Sequence, residues 1–276
     1  MKYTLPLLAL AIACQVHAQS CCQLSAPEAF NEFAKDGKFV NSHFDPIPFV
    51  LQDPKGSMVH FKTPDGKEAQ AYEIKSAKPS DKYVIVIHEW WGLNDYVKQE
   101  SDKLWSELGD VNILALDLYD TKVATVRDSA AKYMQAVKAE RAEAIIQGAL
   151  EHAGKKAKIA TIGWCFGGGW SLQASIIAGA RSKACIMYYG MPETNKEKLK
   201  KLEAPVLGLF ANKDAWISPK VVDDFDKEMK GLGKVITVKE YDADHAFANP
   251  SNPKFNKEAS EDAHKLELEF LKLHLK

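Results

Sequence analysis

The chain has 276 residues, 46% of them hydrophobic and 26% charged, and its 36 Lys and Arg against 37 Asp and Glu leave a formal net charge of -1. This is the composition of a globular protein with one large domain or two small ones. Basic and acidic residues are interleaved, so no basic block could neutralise a phosphate backbone, and a nucleic-acid binder is excluded.

In chain order the first feature is a leader. Lys2 supplies a short positive start, Leu5 to Cys14 an apolar core, and Val16-His17-Ala18 small or neutral side chains before a cleavage point. That is the three-part pattern of a secretory signal over residues 1–18, and it predicts a secreted or periplasmic protein beginning at Gln19. A lipoprotein signal ending at Cys14 fits less well, because Ala11 stands where such signals usually carry leucine and the apolar core would be cut short. No later stretch approaches the roughly 20 apolar residues of a membrane-spanning helix, so no anchor is expected in the mature form. Cleavage leaves Cys21, Cys22, Cys165 and Cys185, a scatter unlike the framework of a disulfide-stapled domain. Cys21 and Cys22 could bind a metal, bridge to another chain or do nothing; two ligands alone do not make a structural zinc site. Cys185, in the apolar run "ACIMYYG", reads as a small core residue.

Residues 19–56 read as an N-terminal extension, with a helix over "SAPEAFNEFAKDG" capped by Ser25, carrying Pro27 in its first turn and ending at Gly37. Met58–Phe61 and Ala69–Lys75 flank "TPDGKE", whose Asp65-Gly66 pair predicts an antiparallel hairpin at a sheet edge. From there short apolar or β-branched strands are expected at Tyr83–His88, Asn112–Leu116, Ile159–Trp164, Ala184–Tyr189, Pro205–Phe210 and Val235–Tyr241. "DYVKQESDKLWSEL", "VRDSAAKYMQAV" and "AEAIIQGALEHAG" have helical spacing, and Asn256–Lys276 should pack as a closing helix. Strands alternating with helices predict an α/β protein, a mostly parallel central sheet with helices on both faces, over residues 57–276.

"TIGWCFGGGWSLQ" carries the chemistry. Gly163-Trp164-Cys165-Phe166-Gly167 follows a buried strand and precedes a helix, as a nucleophile elbow does, and the helix start would favour a thiolate at Cys165. No lysine follows the glycines as a phosphate-binding Walker loop requires, and the spacing is not GxGxxG. The elbow fold expects nucleophile, acid and histidine in that order. Asp214 in "FANKDAW" and His245 in "DADHAFA" each follow a later strand, as that order requires; Asp242 and Asp244 are alternatives to Asp214. In "VIVIHEWWGLND", Trp90 is the candidate second backbone donor to an oxyanion beside Phe166, and Glu89 is a carboxylate at a strand end that must find a partner. His88 reads as a strand-end residue without catalytic duty.

"HEWWGLND", "DLY" at Asp117–Tyr119, "GWCFGG", Asp214 and "DHAFA" together resemble the dienelactone hydrolases of the α/β-hydrolase superfamily. The resemblance implies an ester, lactone or thioester hydrolase with Cys165 as nucleophile, His245 as general base and acid, Asp214 as its orienter and Glu89 as acceptor of the thiol proton when substrate arrives. It implies a small-molecule substrate; a monomer needing neither cofactor nor metal is expected. One departure stands out: the family's founding members hold a substrate carboxylate with two arginines, where this chain has Asp120-Thr121-Lys122 and Asn249. Lys122 and Asn249 are therefore the candidate substrate-binding residues, for a substrate less anionic than a dienelactone. Two other classes compete: a catalytically silent binding protein that keeps the fold, and a thiol redox or metal-handling protein using Cys21 and Cys22.

Overall fold

The computed structural model describes residues 25–276, so the leader, Cys21 and Cys22 lie outside the described residues. Eight strands form one sheet: β1 (Ser57–Lys62), β2 (Glu68–Ile74), β3 (Lys82–Ile87), β4 (Asn112–Leu116), β5 (Lys158–Trp164), β6 (Ser182–Tyr188), β7 (Val206–Ala211) and β8 (Ile236–Tyr241). Their spatial order is β1-β2-β4-β3-β5-β6-β7-β8. β1 and β2 are an antiparallel hairpin, β2 joins β4 antiparallel, and every other pairing is parallel. β3, β4 and β5 are buried along nearly their whole length, because helices cover both faces; this is why they read as unbroken apolar runs.

The helices are α1 (Ala26–Phe33), α2 (Gly37–Ser42), α3 (Asp95–Leu108), α4 (Arg127–Ala136), α5 (Ala139–Ala153), α6 (Phe166–Ala178), α7 (Lys196–Lys200), α8 (Pro219–Gly231) and α9 (Lys257–His274). None of the described helices is long and apolar enough to cross a membrane. Ser25 opens α1 in a capping box with Glu28, as expected. Gly37 does not end that helix, however. α1 stops at Phe33, and the Asp36 carboxylate accepts the Lys38 N–H at 2.8 Å, so Gly37 is the first residue of the second short helix, which the periodicity had not suggested.

That second helix ties the extension to the main body. Phe30 and Phe39 are 1% and 0% exposed and belong to the same buried cluster as the sheet. Phe39 meets Trp216 edge to face at 5.1 Å and Trp90 at 5.7 Å. At about 1.5–3 kcal/mol for each fully buried large side chain, the two phenylalanines contribute to holding the extension against the body.

The sheet order also determines where a ligand can enter. The chain leaves β3 toward β4 on one side and returns to β5 on the other, so a crevice opens beyond the C-terminal ends of β3 and β5. Glu89 follows the first of these strands and Cys165 the second.

Candidate active site

Cys165 alone connects β5 to α6, with φ 56° and ψ -118°. A non-glycine residue in that region costs of the order of 1–3 kcal/mol and persists only where its surroundings enforce it. Here the Cys165 N–H donates to Tyr188 O at 3.0 Å and its carbonyl accepts the Gly168 N–H at 3.0 Å. A β-carbon on Gly163 would lie 2.1 Å from Gly167 O, and one on Gly167 would lie 2.3 Å from Ile87 O. The two glycines flanking the cysteine are therefore what lets α6 start directly against the end of β3.

The thiol meets a histidine, and through it a carboxylate, from the ends of the last two strands. His245, after β8, approaches Cys165 Sγ with Nε2 at 3.3 Å, and its Nδ1–H donates to Asp214 Oδ2 at 2.5 Å. Asp214, after β7, is fixed in turn by the N–H groups of Trp216 and Ile217, which donate to Oδ1 at 2.8 and 2.9 Å. Asp242 and Asp244 instead pair with Lys213 and Lys254 at the surface, so neither replaces Asp214. Burial alone would push the His245 imidazole down, but the adjacent Asp214 and Cys165 outweigh it and hold its pKa well above the ordinary range. Burial pushes the Cys165 thiol up, against His245, with the Glu89 charge adding to the rise. Burial would also raise Asp214, yet His245 and the two backbone donors keep it below the usual carboxylate range.

Glu89 is buried at the end of β3. Its Oε2 accepts from Asn249 Nδ2 at 2.6 Å and its Oε1 from the Tyr189 hydroxyl at 3.2 Å, whereas the Cys165 thiol is engaged by His245. Burial raises its pKa, and the Asn249, His245 and Tyr189 contacts limit the rise. His88 is fully buried and structural: Nδ1–H donates to Glu89 O at 2.6 Å and Nε2 accepts the Leu118 N–H at 3.1 Å, joining the loops after β3 and β4. Phe166 is the first residue of α6, so its N–H has no acceptor within the helix, and Trp90 lies in the turn just after β3.

Of the two candidate substrate contacts, only Asn249 reaches the cleft. With Glu89 it forms one end of an open groove that continues past Tyr96, Lys103 and His264. Lys122 is exposed, and its ammonium lies over the Tyr133 ring at 5.7 Å.

Three nearby groups stand outside the site residues that the sequence marks, although Tyr119 closes the "DLY" segment. Tyr189 holds Glu89, and burial together with Glu89 raises its phenol pKa well above the ordinary value. The Tyr119 hydroxyl, buried near Cys165, has no hydrogen-bond partner among the described residues. The third is His43, just beyond α2. It is 5% exposed, its ring packs on Trp90 at 4.2 Å and on His245 at 5.5 Å, and burial with the neighbouring His245 holds its pKa down to about 3. Only its burial reveals it, because "FVNSHF" has neither motif spacing nor periodicity to single out a histidine.

Comparison with known proteins gives this geometry a family. The family model for the dienelactone hydrolases matches residues 69–275. The chain belongs to the dienelactone hydrolase family. It is 28% identical over 233 residues to protein usf of Aquifex pyrophilus, covering 80% of this chain and 99% of that one. It is 22% identical over 227 residues to carboxymethylenebutenolidase 1 of Cupriavidus pinatubonensis, covering 77% and 95% respectively. In fold it is similar to a dienelactone hydrolase-like promiscuous phosphotriesterase from metagenomic libraries, with a TM-score of 0.69 at 20% identity over 80% of this chain and 99% of that one. His43 lies outside the matched residues of the family model.

Proposed function

We propose that this dienelactone hydrolase family member is an exported enzyme that cleaves a small carboxylic ester, lactone or thioester through an acyl-thioester on Cys165. The observation that carries the reading is the unbroken chain from Cys165 Sγ through His245 to Asp214 at a strained strand-to-helix turn. Because Asp214 accepts Nδ1–H, the Nε2 lone pair of His245 faces the thiol and can take its proton. The sulfur then attacks the substrate carbonyl carbon, and the carbonyl oxygen takes the negative charge beside the backbone N–H groups of Trp90 and Phe166. As the tetrahedral intermediate collapses, the imidazolium gives its proton to the departing oxygen or sulfur. Water attacks the acyl-thioester with His245 again as base, releases the acid and returns the proton to Cys165.

Glu89 is assigned the control of thiol reactivity. In the resting arrangement its negative charge opposes a thiolate, so Cys165 stays protonated until His245 takes the proton. Accepting the thiol proton itself would require Cys165 to turn from His245 toward Glu89. The name of the Cupriavidus relative accords with a lactone or ester substrate, a butenolide being a lactone. Export rests on the leader pattern of residues 1–18.

Mass spectrometry of the protein mixed with an activated ester tests the reading. An acyl group is expected on Cys165, with turnover and label both lost in Cys165→Ala. Full activity in that variant, or a label confined to Cys21 or Cys22, would overturn it.

A further inference from the structure

His43, Cys165 and His245 each present one potential ligand atom, and the three atoms lie within 4.8 Å of one another, all on buried residues. The hydrogen bonds decide which atoms are free. His43 Nδ1 is 2.8 Å from the Phe39 carbonyl oxygen, which can only accept, so Nδ1 carries the proton and Nε2 carries a lone pair. That Nε2 is buried and has no hydrogen-bond partner among the described residues. His245 has the same polarity, with Nδ1–H donated to Asp214 and Nε2 turned to the sulfur. Each imidazole is thus oriented by an acceptor on Nδ1, the arrangement that metal-binding histidines require.

We propose that His43, Cys165 and His245 form a binding site for a borderline-soft divalent transition-metal ion such as Zn²⁺, built jointly by the N-terminal extension and the elbow. One thiolate and two neutral imidazoles match the preferences of Zn²⁺ and leave a fourth tetrahedral position for water or another small ligand. The charge is balanced locally: binding breaks the Cys165 S–H bond, releases that proton to solvent, and sets the thiolate and the Asp214 carboxylate against the two positive charges. Hard ions such as Mg²⁺ favour oxygen donors and should not compete. A buried lone pair without a partner otherwise leaves its desolvation uncompensated.

The site stands on geometry alone. Its consequence rests on the proposed function: a bound ion takes both the sulfur and the His245 lone pair, so the metal-loaded protein cannot form the acyl-thioester, and a chelator restores it.

Cobalt(II) titration of the full chain carrying Cys14→Ser, Cys21→Ser and Cys22→Ser tests the site without substrate. A thiolate-to-cobalt charge-transfer band is expected, displaced by Zn²⁺, unaffected by Mg²⁺ and lost in Cys165→Ala. Losing a group that merely orients a metal ligand costs about 10- to 100-fold in affinity, so removing the His43 ligand should weaken binding at least that much. His43→Phe keeps an aromatic ring against Trp90 and Phe39, and His43→Gln keeps a polar group of similar reach; near-ultraviolet circular dichroism verifies that each is folded. Absence of the band in the parent chain overturns the proposal. So does equal cobalt and zinc affinity in the parent and in a folded His43→Phe or His43→Gln variant. Acyl trapping in the presence of chelator reads the hydrolase separately, so failure of the metal site and failure of the hydrolase reading are distinguishable.

Discussion

Asn249 donates to Glu89 at 2.6 Å, which commits to an internal carboxylate the position where the family's founding members place a substrate-binding arginine. With Lys122 turned onto Tyr133, no lysine or arginine among the described residues lines the groove end at Glu89 and Asn249, while further out Lys103 and His264 already face Glu100 and Glu267. A neutral ester should therefore exceed its carboxylated analogue in kcat/KM by about tenfold or more, equivalent to about 1.4 kcal/mol. Asn249→Arg should narrow that gap. A preference for the anion that disappears in Lys122→Ala would show that one lysine suffices and would refute the argument.

Asp214→Asn should lower kcat/KM by about 10²- to 10⁴-fold, the range credited to a positioned acid or base. The pH dependence carries the sign. Asp214 raises the His245 pKa, so its removal moves the imidazole down, and the limb of the pH-rate profile that reports His245 should move to lower pH. A profile that drops in height without shifting would mean that Asp214 acts only on geometry.

Gly163→Ala should be destabilising by about 1–3 kcal/mol or more, the range for forcing atoms into a packed interior, because its β-carbon meets backbone that cannot rotate away. Gly231→Ala, at the end of α8 with open space around the new β-carbon, should be neutral or stabilising by up to about 1 kcal/mol. Thermal unfolding of the two variants side by side checks this, and equal shifts would count against the elbow geometry.

His264 lies 2.6 Å from Glu107 and faces Glu100 and Glu267 at 3.6 Å. Burial opposes its charge, but Glu267 and Glu100 outweigh burial and hold its pKa up to about 9. Because this lies above the roughly 6.5 of an unfolded histidine, the stabilisation is complete below about pH 6.5 and is lost as pH rises through about 9. The melting temperature should fall across that window in the parent and fall less in His264→Gln. Parallel curves would remove His264 from the account.

Amino-terminal sequencing of protein recovered from the periplasm or medium should begin at Gln19. Intact Met1 on protein recovered only from the cytosol would contradict export.

Local pattern by itself determined the α/β alternation, the Asp65-Gly66 hairpin and the candidacy of Cys165, Asp214 and His245. Each of these is written in short-range signals: apolar runs buried on both faces, a turn residue tolerant of positive φ, or glycines fencing a nucleophile. Gly37 is ambiguous in the sequence because a glycine can end one helix or open the next, and only the Asp36 cap distinguishes the two. The choice of Asp214 over Asp242 and Asp244, the turning away of Lys122 and the capture of Asn249 by Glu89 were left to tertiary structure, since all depend on where side chains from separate strand ends meet. His43 is the extreme case. Its lone pair acquires meaning only when Phe39 docks between Trp90 and Trp216 and carries the histidine to a buried position beside His245, where one imidazole nitrogen has no hydrogen-bond partner among the described residues.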